Sequence, residues 1–114
     1  MTAPLDREKT RADFSDVVNM TVGEIEAWLE TEQSCKVGWK GKDGDRPESV
    51  GHASGRKIVQ ILRAKANALT DDDYAHMRKV VGFVRRHAAQ RPENIYTSRW
   101  RYSLMNWGHD PAKD

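Results

Sequence analysis

With 32% charged and 38% hydrophobic residues, a chain of 114 residues has the make-up of one small, well-solvated domain, which excludes a disordered chain and leaves too little for two independent cores. Its one cysteine, Cys35, excludes an internal disulfide, and no apolar run reaches membrane-spanning length, so a cytoplasmic setting without a membrane partner is expected. The net charge of +2 conceals an asymmetry: residues 1–50 hold 7 Lys or Arg against 11 Asp or Glu (−4), and residues 51–114 hold 12 against 6 (+6).

The first residues are polar, and Asp6, Arg7, Glu8 and Lys9 interrupt any signal-peptide core. Residues 1–17 read as a partly ordered N-terminal segment, residues 18–111 as a single helical domain and residues 112–114 as a tail. A helical pattern is possible from about Leu5 to Asn19, with Phe14, Val17 and Val18 as its apolar contacts. Thr21 and Glu24 make a capping box, and Val22, Ile25, Trp28 and Leu29 form the stripe of a helix that should end near Gln33. The rest of that helix is acidic.

From about residue 34 to residue 54, four glycines and Pro47 mix with charges, so one long glycine-rich loop is expected. Lys36, Trp39, Lys40 and Lys42 pair cations with an aromatic ring, as backbone-directed nucleic-acid contacts do; alternatively Val37 and Trp39 pin the loop to the core, which is the preferred reading for Trp39. Further on, Ser54 reads as the cap of a helix from about Gly55 to Leu69, whose N-terminus, flanked by Arg56 and Lys57, would suit an anion; His52 precedes it. Ile58, Ile61, Leu62, Ala66 and Leu69 are its core stripe, with Arg56 and Arg63 stacked on the opposite face.

Thr70 with Asp73 caps the next helix, which should run from Asp71 to about Gln90 before Pro92 stops it. Tyr74, Met77, Val80, Val81, Val84 and Ala88 face inward, while Lys79, Arg85 and Arg86 make the outer surface basic. Positive charge near a helix C-terminus also has a plain dipole explanation. Ser98 caps a last helix through Trp107, with Trp100, Leu104 and Trp107 on its docked side and Gly108 as its stop. The fold class is therefore all-α, a bundle of four to five helices.

No constellation points to chemistry. Cys35, His52, His76, His87 and His109 form no close pair at zinc-like spacing, a Cys35–His52 pair is only imaginable, and Gly38, Gly41 and Gly44 lack the lysine and hydroxyl that end a phosphate loop. Neither an enzyme nor a cofactor is expected. The best-supported partner is DNA, met at its phosphates by Lys40, His52, Arg56, Lys57, Arg63, Lys79, Arg85, Arg86, Arg91, Arg99 and Arg101. Two alternatives stand beside it: a protein-interaction groove near the last helix, signalled by exposed Trp39, Tyr102 or Trp107, and a ligand pocket walled by His52 and His109.

Two resemblances bear on this reading. Thr21, Val22, Ile25 and Leu29 followed by Ser54, Gly55, Arg56, Lys57, Ile58, Val59 and Leu62 resemble a stretched SAP motif, the helix-loop-helix module of many chromatin and repair proteins. Residues Glu48 to Arg56, the Arg85, Arg86, His87, Gln90, Arg91, Pro92 group and the string from Trp100 to Pro111 resemble an uncharacterised bacterial and fungal family, domain of unknown function 3140, sometimes labelled DNA-binding. That resemblance implies a DNA-binding role and no catalytic residues.

Overall fold

A computed structural model describes residues 3–40, 44, 47–96 and 98–113, with side chains from Arg7 onward. The expectations for Lys42 and for Asp114 in the tail lie outside the described residues. Among the described residues there are six α-helices: α1 (Ala3–Val17), α2 (Val22–Leu29), α3 (Glu32–Lys36), α4 (Val50–Arg63), α5 (Asp71–Ala88) and α6 (Arg99–Asn106), with short 3-10 turns at Ala66–Ala68 and Pro111–Lys113. No strand occurs among the described residues, so the fold is all-α as expected.

Local signals set most boundaries. Thr21 and Glu24 close their capping box on α2, Thr70 and Asp73 do the same on α5, and the Ser98 hydroxyl accepts from the Arg101 N–H at the start of α6. At the end of α6 the chain turns through Gly108 at φ +80, with the Gly108 N–H donating to Met105 and the His109 N–H to Leu104. This is the paired C-terminal motif that a left-handed glycine makes possible.

The long loop is shorter than the sequence suggests. Thr31 caps the five-residue α3 where the second helix was expected to continue, and α4 starts at Val50, capped by Ser49 rather than Ser54. The helix therefore gains a full turn upstream, and it stops at Arg63 instead of reaching Leu69. The reason lies in packing. Gly51 and Gly55 bring α4 so close to the end of α6 that a Cβ on Gly55 would lie 2.8 Å from the Asn106 carbonyl oxygen. Buried Ser54 is tolerated inside the helix because its hydroxyl pairs with the His76 Nε2 of α5 at 2.8 Å.

The core gathers Phe14 and Val17 from α1, Ile25 and Trp28 from α2, Ile58, Val59 and Ile61 from α4, the inward row Tyr74 to Val84 of α5, and Leu104 with Trp107. Helix α1 lies along α5, where Arg11 donates to the Tyr74 hydroxyl at 2.8 Å. No helix among the described residues is long and apolar enough to cross a membrane.

Candidate nucleic-acid interface

Helices α4 and α5 present matching rows to each other. Residues 50, 53, 54 and 57 of α4 and residues 72, 75, 76 and 79 of α5 follow the same i, i+3, i+4, i+7 spacing, so each set occupies one helical face. Together with Trp107 they wall an open hollow of about 460 Å³. Its side chains are small and apolar at Val50, Ala53 and Ala75, hydroxyl and imidazole at Ser54 and His76, and charged at Lys57, Lys79 and Asp72. The α5 row runs on through Phe83 to Arg86. A second hollow of about 240 Å³ lies there, shares Val50, Lys79 and Trp107 with the first, and is bordered by Trp39.

The aromatic wall is tightly stacked. Phe83 lies 4.3 Å from Trp107 between ring centroids, and His76 lies 6.1 Å from it on a nearly parallel plane. Burial holds the His76 imidazole below its ordinary pKa, with help from the positive charges of Lys79 and Lys57; the Ser54 contact and Asp73 oppose this. His76 is thus neutral at pH 7.

The charges differ in what they face. Lys57 pairs with Asp73 at 2.6 Å, whereas no carboxylate among the described residues pairs with exposed Lys79 or Arg86. Trp39 reverses its expected role. Val37 is 3% exposed and does pin the loop, but the Trp39 indole is 61% exposed. Its backbone is nonetheless fixed, because the Trp39 carbonyl accepts the Val50 N–H at 2.9 Å.

The remaining residues expected at a DNA surface lie elsewhere. Arg63 faces α2, where it pairs with Glu26 at 2.7 Å, and Arg56 grips Glu48, just ahead of α4, with Nε at 2.8 Å and Nη2 at 2.5 Å. With α4 beginning at Val50, Arg56 and Lys57 are mid-helix, so the expected anion site at a helix N-terminus is not formed by them. Arg85 points to α1 and Asp13 at 3.3 Å. Arg101 is structural in its geometry, holding half-buried to buried Asp110 through two nitrogens at 3.0 and 3.1 Å and the Tyr96 carbonyl at 2.8 Å. Arg91 and Arg99 are exposed without a carboxylate pair among the described residues.

His52 is held by two oxygens. Its Nδ1 meets Glu48, its Nε2 lies 2.8 Å from the Leu29 carbonyl, and the Cys35 sulfur is 3.9 Å away. His52, Glu48, Cys35 and Lys40 line a third hollow of about 250 Å³. Hydrogen bonds to Arg56 and His52 outweigh burial and hold the Glu48 carboxyl down at about 2. His109 is elsewhere, buried with Nδ1 2.6 Å from the Val17 carbonyl, so the two histidines do not share a pocket wall. Among the described residues no group of three or more His, Cys, Asp or Glu side chains is placed to hold a metal ion.

Sequence reasoning therefore missed His76, Ser54 and the outward pose of Trp39. The matching spacing on α4 and α5 was the available signal, hidden by reading Ser54 as a cap. No curated protein and no solved structure matches this chain. A family described as protein of unknown function, DUF3140, matches residues 13–105, and the chain belongs to that family.

Proposed function

We propose that this chain is a small non-enzymatic DNA-binding protein that takes the phosphate backbone on its α4–α5 face. The observation that supports this most is the convergence of Lys79 and Arg86 on one helical row, free of carboxylate pairs among the described residues, with Lys57 across the hollow. A cation already neutralised by a neighbouring carboxylate gains little from a phosphate, whereas an unpaired one releases counterions from the DNA. Arg56, Arg63, Arg85 and Arg101 are of the first kind. Arg91 and Arg99 remain available at the positive end of the chain, whereas Lys40 and His52 line a separate hollow. The SAP-like order of parts adds an analogy only, since α3 and a loop intervene between α2 and α4.

A protein-interaction groove draws less support. Trp107 is 4% exposed and Tyr102 packs on Trp28 at 5.3 Å, which leaves Trp39 as the exposed one of the three expected aromatics.

The test is fluorescence anisotropy of a labelled DNA duplex and single strand over a salt series, with a Lys79→Ala/Arg86→Ala variant and an Arg63→Ala control. The double variant is expected to weaken binding and to reduce the log–log salt slope by about 1 to 2, as loss of two phosphate contacts requires. Arg63→Ala should bind as the parent does. Absence of binding at low salt, or equal binding by the double variant, overturns the proposal.

A further inference from the structure

Resting on that reading, we infer that the α4–α5 face selects single-stranded over duplex DNA, with Trp39 as a base-stacking platform and Lys79 and Arg86 as its phosphate contacts. Three observations carry this. The first is the pose of Trp39, which leaves 61% of the residue in solvent although Val37, two positions earlier, is buried. A large indole gains by being covered, and the Val50 N–H fixes the backbone that holds this one out. The second is its surroundings: it borders the same hollow as Lys79 and Arg86, so ring and cations are offered together. A cationic groove beside an aromatic face is the combination that binds unpaired bases without sequence preference, because every base has a stackable face.

The third is shape. Lys79 and Arg86 sit on the wall of a concave surface, seven residues and so about 10 Å apart along α5. Reading a duplex through its major groove calls for an element that protrudes into the groove, and duplex bases are already stacked on one another. A hollow edged by a free indole instead suits a strand whose bases can turn out. Polarity within the site fits as well: Asp72 and the Asp73-paired Lys57 lie at the far end, so the phosphate path runs along Lys79 and Arg86 beside the ring.

The experiment compares a labelled oligo-dT strand with a blunt duplex of equal length, using the full chain, Trp39→Ala and Trp39→Phe, with circular dichroism confirming each fold. Single-strand binding is expected to be stronger, Trp39→Ala to weaken it by about tenfold, the size of one lost stacking contact, and Trp39→Phe to keep most of it. Duplex binding should change less than twofold. Failure to bind either DNA overturns the DNA-binding reading and this inference with it. If the duplex binds as well as the strand, or if Trp39→Ala leaves strand binding unchanged or lowers both alike, strand selection fails while the DNA-binding reading stands.

Discussion

The Trp28 indole donates to the side-chain oxygen of Asn106 at 2.7 Å, joining residues 78 positions apart. The same oxygen accepts the Ser34 hydroxyl at 2.5 Å, and the Asn106 amide donates to the Ser34 carbonyl at 3.1 Å. One amide, 1% exposed, thus ties α2, α3 and α6 together.

Asn106→Ala should accordingly cost about 3 kcal/mol, because it strands the Trp28 N–H and the Ser34 hydroxyl in a dry interior and opens a small cavity. Urea denaturation followed by far-ultraviolet circular dichroism would measure it. A loss below about 0.5 kcal/mol would mean that these groups find other partners.

Two helical glycines should respond with opposite signs. At Gly55 an added Cβ would lie 2.7 Å from a Leu29 methyl and 2.8 Å from the Asn106 carbonyl oxygen, and the backbone oxygen cannot step aside. Gly55→Ala is expected to destabilise by about 1–2 kcal/mol, overriding the helix-propensity gain. At Gly82 the added Cβ meets only the mobile end of Arg86 at 3.0 Å, so Gly82→Ala should stabilise by about 0.5 kcal/mol. Paired urea titrations decide both, and stabilisation by Gly55→Ala would refute the close-approach account of α4.

These residues also mark what could be read in the sequence. The caps at Thr21, Thr70 and Ser98, the stop at Gly108 and the buried row of α5 depend on spacing over a few residues, so they were legible. The start of α4 was not, because Ser49 and Ser54 are equally good caps by type and the choice is made by contacts with α6. Charge placement failed for the same reason. Nothing local to Arg85 shows that Asp13, 72 positions away, reaches it, or that Glu26 reaches Arg63. Of the cations read as one surface, Lys57, Lys79 and Arg86 share the α4–α5 hollows, and tertiary contacts turn Arg56, Arg63, Arg85 and Arg101 to carboxylates elsewhere.

Glu48 predicts an acid response. Its carboxyl is lowered from an ordinary 4.5 to about 2, chiefly by the Arg56 hydrogen bond and then by His52. A group with a depressed folded-state pKa contributes stability above its unfolded value and loses that contribution as pH falls through the folded value. Stability should therefore decline between pH 4.5 and 2. Glu48→Gln should cost about 1 kcal/mol at pH 7, after allowance for solvent screening, and flatten this part of the profile. Urea midpoints measured from pH 6 to pH 3 would check it, and an unchanged slope in the variant would assign the acid loss to other carboxylates.

If the α4–α5 face takes DNA as proposed, His76 sets how that binding depends on pH. The groups facing it are Ser54 and Lys57 on α4, Asp72, Asp73 and Lys79 on α5, and the Trp107 ring. In the free protein burial, Lys79 and Lys57 keep its pKa below 6.5, so the ring is neutral at pH 7. A phosphate held by Lys79 adds negative charge beside the ring and raises that pKa, so the bound state takes up a proton that the free state does not. Affinity must then increase as pH falls from 7 toward 5, by at most about tenfold for each unit separating the two values. Asp73 does not reproduce this, because Lys57 and the Thr70 N–H already hold it below the ordinary carboxylate value. His76→Gln keeps a polar group near Ser54 and removes the titration, so its affinity should vary little across the same interval. Anisotropy titrations at fixed ionic strength from pH 7.5 to pH 5.5 make the comparison. An equal rise in His76→Gln would place the titrating group outside the hollow and remove the imidazole from the phosphate site.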